Sequence, residues 1–225
     1  MSPIERGLEG VRDRIARAAD ASSRDPNAIR LVAVSKTKPI AAIREAYALG
    51  QRDFGENYAQ EMAQKAEELF DLPDLRWHFI GHLQSNKARF VAPVAHLVQT
   101  IDSAALAKEL DKRTEKAGRD ELPVLVEVNV GGESQKSGTT PAELEAVLDA
   151  VGAAKTLKLQ GLMTMPPHDL EGARRAFEAL ASLQAAHGGK ARLPELSMGM
   201  SDDLEVAIAC GATIVRVGTA IFGAR

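Results

Sequence analysis

A lysine at the end of a short apolar segment is the first residue of this sequence that could do covalent chemistry. Lys36 follows Val32 and Val34 at a spacing of two, next to the apolar run 30–35. Side chains two apart on a strand share a face, so Lys36 extends the face of the two valines to the strand end. A partly desolvated amine there is a nucleophile that forms a Schiff base with a carbonyl. A solvated strand-end lysine gives the same pattern, and Lys38, just before a proline, is predicted to be a surface charge.

An arginine inside the last apolar segment is the second unusual residue. Arg216 shares one face of the predicted strand 213–217 with Ile214 and Gly218. A buried guanidinium is costly unless it is paired, so Arg216 either forms a salt bridge to a neighbouring strand or meets a ligand. The backbone N–H groups of Gly218 and Thr219 can approach an anion closely, because Gly218 has no side chain.

The loop before this segment contains further phosphate-binding chemistry. Ser201 lies in the run 197–203, directly ahead of a predicted helix at 202–209. Serine and aspartate at a helix start are usually caps. A helix N-terminus also offers N–H groups to a phosphate, and Ser201 adds a hydroxyl. Barrels often hold a phosphate between the loops after their seventh and eighth strands, which is where Ser201 and Gly218 would lie.

The histidines and the cysteine give no metal signal. His78 and His82 are four residues apart, but Gly81 indicates a turn between them rather than a helix. The single cysteine, Cys210, is predicted to be a buried, inert thiol, so no metal site is expected. His82 shares strand parity with His78 and Ile80, and it could therefore face the same mouth as Lys36.

Strand-like and helix-like segments alternate along the whole chain and would position these residues. A helix is predicted at 4–21, and helices separate eight strand candidates at 30–35, 53–55, 76–80, 97–101, 123–130, 157–163, 193–197 and 213–217. Strands separated by helices pair in parallel through right-handed crossovers, and eight such units predict a closed (β/α)₈ TIM-type barrel of the α/β class. An open doubly wound sheet usually has five or six strands and a glycine fingerprint, which are not seen here. We expect one domain over 1–225, with the barrel at 30–223.

Composition excludes several functional classes. The chain has 225 residues, with 28 Lys and Arg against 31 Asp and Glu, and so lacks the basic excess typical of a nucleic-acid binder. No stretch reaches the ~18 consecutive apolar residues of a membrane span. One cysteine indicates a reducing compartment, and the charged N-terminus is not a signal peptide, so a cytoplasmic location is expected. No helix face is unusually apolar, which favours a monomer.

Five stretches of the sequence resemble the pyridoxal phosphate homeostasis proteins, a family of PLP-binding proteins related to the alanine racemase N-terminal domain. They are Val34-Ser-Lys36-Thr, Phe54-Gly-Glu-Asn57-Tyr, His78-Phe-Ile-Gly-His82-Leu-Gln-Ser-Asn-Lys87, Ser197-Met-Gly-Met-Ser201-Asp202 and Arg216-Val-Gly-Thr219. Long motifs in the same order over nearly the whole chain are specific. The resemblance implies a barrel that carries PLP (pyridoxal 5'-phosphate).

The resemblance also implies roles for individual residues. It assigns the aldimine to Lys36, in agreement with the parity argument. It assigns the phosphate contacts to Ser201, Gly218 and Thr219. Arg216 would face the pyridine nitrogen of PLP.

The resemblance also implies roles for two further residues. Asn57 would lie near the hydroxyl edge of the PLP ring, and His82 would contribute to the same site. No residue is assigned a catalytic role.

Arg216 bears on what such a protein does. A cation beside the pyridine nitrogen disfavours its protonation, and an unprotonated ring is a poor electron sink. The racemases that this barrel resembles use a second base from an extra domain, and no such domain is expected here. The sequence therefore predicts a protein of vitamin B6 homeostasis that buffers PLP or delivers it to apo-enzymes without robust catalysis. The alternatives are a PLP-dependent amino-acid racemase and a PLP-free, phosphate-binding barrel enzyme such as a sugar-phosphate isomerase.

Overall fold

Eight parallel strands close into a barrel in chain order, with β1 paired to both β2 and β8 in the computed structural model, which describes residues 1–133 and 136–223. The strands are β1 Arg30–Val34, β2 Asp53–Glu56, β3 Arg76–Phe79, β4 Leu97–Ile101, β5 Leu122–Glu127, β6 Leu157–Met163, β7 Glu195–Ser197 and β8 Ile214–Val217. This confirms the predicted TIM-type barrel and all eight strand positions. The largest difference at a strand end is in β5, which ends three residues before the predicted limit of 130.

Helices follow the strands and surround the barrel. They are α1 Pro3–Ala21, α2 Ile40–Ala48, α3 Ala59–Glu68, α4 Ala88–Val91, α5 Ala104–Lys116, α6 Leu144–Gly152, α7 Leu170–Ala186, α8 Gly189–Arg192, α9 Leu204–Ala209 and α10 Thr219–Phe222. Single 3₁₀ turns lie at Pro26–Ala28 and Ser85–Lys87. The predicted helix at 202–209 begins two residues later, at Leu204, and the short helix α10 was not expected from the sequence. None of the helices in the described part of the chain has the length and apolar character needed to cross a bilayer.

The first helix precedes the barrel and packs against its last elements. Ser2 and Glu5 form a capping box in which each backbone N–H donates to the other residue's side chain at 3.0 Å. Helix α1 packs on α9 and α10. Gly7 permits this close approach, because a Cβ there would lie 2.6 Å from the Ala220 carbonyl oxygen.

The interior of the barrel is only partly apolar. Five buried side chains from five different strands form a separate inner cluster, namely Val32, Leu97, Leu125, Met163 and Ile214. Other interior positions of the strands carry His78, Gln99 and Ser197, all of which are buried. Most of the remaining apolar residues form one large cluster between the strands and the helices. Of these polar positions, Ser197 contacts Arg216 near the carboxyl end of β8, and His78 contacts Asp53 at the amino end of β2.

Candidate functional site

A cavity of about 290 Å³ lies at the carboxyl ends of β1 and β8. It brings together six of the seven residues predicted for the site, namely Lys36, Asn57, Ser201, Arg216, Gly218 and Thr219. Its volume is at the lower end of the range of small-molecule sites. Strand pairing explains the juxtaposition, because Val32 of β1 is in register with Arg216 of β8.

Lys36 faces this cavity from the turn that follows β1. Its side chain is half-buried, in agreement with the parity argument. Lys38 does not line the cavity. The Lys38 ammonium instead donates to the carbonyl oxygens of Phe222 at 3.1 Å and Gly223 at 3.0 Å, which ties the β1 turn to the end of α10. The structure therefore separates the roles of the two neighbouring lysines.

The residues on either side of Lys36 are held by a partly buried, hydrogen-bonded group of polar and charged residues, which we call the anchor cluster. It consists of Ser35, Thr37, Glu56, Glu61 and Lys65. The Lys65 ammonium lies 2.8 Å from a Glu56 carboxylate oxygen and 2.7 Å from one of Glu61. Ser35 donates to Glu56 at 2.6 Å, and the Thr37 N–H donates to Glu61 at 2.6 Å.

The anchor cluster fixes the backbone from which Lys36 projects. Thr37 has a φ of 60°, a left-handed conformation that is uncommon for a threonine. Its hydrogen bond to Glu61 holds that conformation. Burial raises the pKa of Glu56, against the opposing effect of Lys65. The charges of the cluster are therefore used inside the protein rather than presented to a ligand.

Arg216 is a buried cation with neutral partners. Only 3% of its surface is exposed, and its guanidinium donates to Ser197 Oγ at 2.6 Å and to the Thr164 carbonyl oxygen at 2.9 Å. It also lies 3.1 Å from the Met165 sulfur. No carboxylate in the described ranges lies within ion-pair distance of it. Burial lowers the pKa of Arg216 to about 10. The sequence left two alternatives for Arg216, a salt bridge to a neighbouring strand or contact with a ligand. The salt bridge is not observed among the described residues.

Glu127, at the end of β5, is a second buried ionisable group near this mouth. Burial, reinforced by the charge of Asp102, raises the pKa of Glu127 to about 7, and the charge of Arg216 opposes this shift. The carboxyl group does not line the cavity. It affects the site through its charge rather than through contact.

The loops after β7 and β8 meet at the rim of the cavity. The Thr219 hydroxyl donates to the Ser201 hydroxyl at 3.0 Å. Arg14 of α1 supports this rim, since its guanidinium donates to the Ser201 carbonyl oxygen at 2.8 Å and to Glu205 at 2.6 Å. Two hydroxyl groups from separate loops are therefore held next to each other.

The β7 loop has a more specific shape than the predicted helix cap. Asp203 occupies the position before α9, but its carboxylate accepts from the Met200 N–H at 2.6 Å and thereby closes the loop. Gly199 has a φ of 97°, and a Cβ there would lie 2.5 Å from the Ala207 Cβ. Only glycine fits this turn without displacement of α9.

Asn57 lines the cavity from the end of β2. Its side-chain oxygen, Oδ1, is buried and accepts no hydrogen bond from the described residues. Gly81 packs on the Asn57 backbone, and a Cβ at Gly81 would lie 2.2 Å from the Asn57 carbonyl oxygen. The carboxamide is thus held in place while one acceptor is left unused.

His82 is the one predicted site residue that the structure does not bring to the cavity. It lies in a neighbouring cleft of about 350 Å³, which Asn57 also lines. The His82 side chain is 56% exposed, and its Nδ1 is 3.4 Å from an Asp102 carboxylate oxygen. Strand β3 ends at Phe79, so the period of two does not extend to His82.

Sequence reasoning missed several lining residues, among them Met165, His168, Met200 and Asp202. Met165 follows Met163 at a spacing of two and could have been placed by parity. His168 and Met200 lie in loops, where no periodic signal exists. Asp202 is the only carboxylate among the lining residues described.

The described residues contain no group of three or more His, Cys, Asp or Glu side chains that could hold a metal ion. Cys210 is half-buried rather than fully buried, and burial raises the pKa of its thiol. The polar groups that line the cavity are an amine, a guanidinium, hydroxyls, an amide, an imidazole and a carboxylate.

Comparisons with known proteins agree on a family. Residues 8–225 match the alanine racemase N-terminal domain family. The pyridoxal phosphate homeostasis protein of Pseudomonas aeruginosa is 48% identical over 236 aligned residues, covering 100% of this chain and 97% of that protein. The protein of the same name from Escherichia coli K12 is 46% identical over 231 aligned residues, covering 100% of this chain and 98% of that protein.

A solved structure resembles the fold closely. PipY of Synechococcus elongatus PCC7942, solved with PLP bound, aligns with a TM-score of 0.79 and 42% identity. The alignment covers 93% of this chain and 100% of that one. The full barrel of this chain therefore has counterparts of the same extent.

Proposed function

This chain belongs to the pyridoxal phosphate homeostasis proteins within the alanine racemase N-terminal domain family, and we propose that it holds PLP in the cavity between β1 and β8 and buffers or delivers it. The observation that carries the proposal is the meeting of Lys36 with Arg216 and the Ser201–Thr219 rim in one small cavity. An amine, a ring-facing cation and an anion-binding rim are the three contacts that an aldehyde, a pyridine ring and a phosphate require.

An unused polar atom in the cavity fits the same ligand. A buried acceptor without a partner is costly, so the lone Oδ1 of Asn57 calls for a donor from outside the protein. PLP carries a phenolic hydroxyl on its ring, and we assign Asn57 to this edge. The donor set of the cavity thus matches PLP at each of its polar groups.

Lys36 supplies the covalent contact. When PLP is bound, its aldehyde provides the electrophile and is the only reactive group needed for reversible capture. The anchor cluster fixes the residues on both sides of Lys36 and so orients the amine toward the cavity. Release would be an imine exchange, in which a competing amine of a free amino acid or of an apo-enzyme forms the new C=N bond and the Lys36 amine is set free.

The rim supplies the phosphate contact. Ser201 and Thr219 present two hydroxyls 3.0 Å apart, and the first N–H groups of α10, next to Gly218, are not used within the helix. Asp202 would repel a phosphate, but Lys36 and Arg216 outnumber it among the charged lining residues, and it interacts with Arg14. The net positive lining favours a dianion.

Arg216 limits the chemistry that follows. A guanidinium that faces the pyridine nitrogen opposes its protonation, because two like charges in a buried site repel. We therefore propose a carrier without robust catalysis, acting as a monomer toward PLP and PLP-dependent apo-enzymes. The single cysteine supports a reducing compartment, such as the cytoplasm, as its location. His82, in the neighbouring cleft, is assigned no direct contact.

Borohydride reduction of the PLP-loaded protein tests the assignment. We expect a stable pyridoxyl group on the peptide that contains Lys36, identified by mass analysis. Lys36→Ala should lose the visible absorption band and the label, whereas Lys38→Ala, the matched control, should keep both. A label on another residue, or none, would refute the proposal.

An amino-acid racemase is the second candidate, because the matched family is named for alanine racemase. Solvent deuterium exchange at Cα of L-amino acids, followed by chiral analysis, separates the two functions. Rapid exchange with racemisation would favour the enzyme, and its absence would favour the carrier.

A further inference from the structure

A chain of buried hydrogen bonds crosses the barrel interior and ends at Arg216. We call Arg216, Ser197, Gln99, His78 and Asp53 the barrel chain. Arg216 donates to Ser197 Oγ at 2.6 Å, and the Ser197 hydroxyl donates to Gln99 Oε1 at 2.6 Å. Gln99 Nε2 lies 3.0 Å from His78 Nδ1, and His78 Nε2 lies 2.8 Å from Asp53 Oδ1. All five side chains are buried.

The far end of the barrel chain lies at the opposite mouth of the barrel. Asp53 is the first residue of β2, whereas Arg216 lies near the end of β8. Asp53 lines a cleft of about 280 Å³ at the amino ends of the strands, together with Arg76 and His78. Arg76 donates to the second Asp53 oxygen at 2.6 Å. The hydrogen bonds therefore join the two mouths.

The two ends of the barrel chain determine the direction of every hydrogen in it. A guanidinium only donates, and an ionised carboxylate only accepts. Burial opposes the ionisation of Asp53, but the hydrogen bonds from His78 and Arg76 hold its pKa below the usual value. With a neutral His78, each member must consequently donate to the next in the order from Arg216 to Asp53. Ser197 and Gln99 have no freedom to reverse.

This direction assigns the tautomer of His78. Its Nε2 carries the hydrogen that bonds to Asp53, and its Nδ1 accepts from Gln99. Burial lowers the pKa of His78, in keeping with a neutral ring. The assignment depends on Asp53, because an asparagine at this position could accept or donate and would no longer fix the order.

Filling the barrel interior with the polar side chains of the barrel chain costs desolvation free energy. Interior layers of such barrels are usually branched apolar side chains, and a polar chain gains nothing over them in packing. Its members are aligned, however, and aligned hydrogen bonds polarise one another. The chain therefore gives the buried guanidinium of Arg216 a fixed hydrogen-bond acceptor in Ser197, while the charges of Glu127 and Asp203 act on Arg216 without contacting it.

We propose that Asp53, His78, Gln99 and Ser197 are positioning residues for Arg216, so that the opposite mouth of the barrel sets how the guanidinium acts on the ligand of the cavity. The inference rests on the proposed function in that this ligand is PLP. It adds four residues, none of which line the cavity, to those that determine how PLP is held.

The tautomer of His78 tests the barrel chain without PLP. In the ligand-free protein we expect ¹⁵N NMR shifts of a neutral imidazole with the hydrogen on Nε2. Asp53→Asn should move both nitrogen shifts toward the average of the two tautomers. A hydrogen on Nδ1 in the wild type, or unchanged shifts in Asp53→Asn, would overturn the proposed direction.

Measurements of PLP binding test whether changes in the barrel chain alter how Arg216 acts on the ligand in the cavity. We expect Ser197→Ala to weaken PLP binding about tenfold, equivalent to one hydrogen bond to a charged group, and to shift the visible band of bound PLP. Asp53→Asn, at the far mouth, should shift the same band and weaken binding by a smaller factor. Leu97→Ala, in the barrel interior but outside the chain, is the control for lost stability and should leave the band in place.

The outcomes separate this inference from the proposed function. If Asp53→Asn leaves both the band and the affinity of the wild type while Ser197→Ala changes them, the coupling stops at Ser197 and the inference is wrong. If the wild type takes up no PLP at Lys36, the proposed function fails, while the NMR result still decides the direction of the barrel chain.

Discussion

Two buried cations lie near the carboxyl ends of the strands, and their surroundings differ. Lys65 of the anchor cluster contacts carboxylates of Glu56 and Glu61 at 2.8 and 2.7 Å. Arg216, in the cavity wall, contacts a hydroxyl, a carbonyl oxygen and a sulfur. The two side chains are buried to a similar degree, so burial alone does not distinguish their roles.

The difference indicates which charge serves the fold and which serves a ligand. Removing one partner of a buried ion pair leaves an uncompensated charge and is strongly destabilising. Removing a cation whose hydrogen-bond partners are all neutral leaves no carboxylate that was in direct contact with it. Loss of Lys65 should therefore mainly lower the stability of the protein, whereas loss of Arg216 should mainly weaken PLP binding.

Lys65→Met should have the largest effect on stability. Without the ammonium, the buried Glu56 faces Glu61 with no cation between them, and we expect the free energy of unfolding to fall by about 3–5 kcal/mol. Urea denaturation monitored by circular dichroism measures this. The double variant Lys65→Met, Glu56→Gln should recover part of the loss. A single-variant loss below about 1 kcal/mol, the range of an exposed pair, would contradict the structural role of Lys65.

Glu127→Gln should change how stability depends on pH. The pKa of Glu127 is raised to about 7 in the folded protein from an ordinary value of 4.5, so the folded state binds this proton more tightly than the unfolded state does. The contribution of Glu127 is therefore present at low pH and is lost as pH rises through this window. We expect the free energy of unfolding of the wild type to fall by about 3 kcal/mol over this window, and that of Glu127→Gln not to show this fall.

The free energy of unfolding, measured from pH 4 to pH 8, tests this expectation. Glu121→Gln, in which an exposed carboxylate is neutralised, is the control and should follow the wild type. Equal slopes for wild type and Glu127→Gln would show that the Glu127 carboxyl ionises normally.

Arg216→Met should have the smallest effect on stability and a clear effect on binding. The variant removes a costly buried charge but leaves Ser197 and Thr164 without a donor, so we expect a change below about 2 kcal/mol in either direction. PLP affinity should fall at least tenfold. Thermal denaturation and PLP titration measure the two effects, and a stability loss as large as that of Lys65→Met would remove the contrast between the cations.

Strand parity predicted the residues that directly continue a strand and failed beyond a turn. Lys36 follows the half-buried Val34 and Arg216 follows the buried Ile214 at a spacing of two, and both line the cavity. His82 was included by the same parity, but β3 ends at Phe79 and the chain turns at Gly81, so the parity no longer applies. His168 was missed because loop residues have no periodicity.

The barrel chain could not be predicted from the sequence for a different reason. Gln99 and Ser197 are polar residues within apolar strands, but nothing in the sequence states which strands put them within hydrogen-bond distance. That depends on the closure and stagger of the barrel, which bring β4 and β7 side chains together across the interior. Parity gives the face of a residue, and only the closed fold gives its neighbour.

The register of β1 with β8 has a consequence for how the protein is made. Val32 lies beside Arg216 across the barrel seam, so the cavity combines the earliest and the latest strand to leave the ribosome. A nascent chain exposes its lysine long before the wall opposite that lysine exists. The cavity proposed for PLP is therefore complete only after β8 has been synthesised and has paired with β1, the most sequence-distant strand pairing of the barrel.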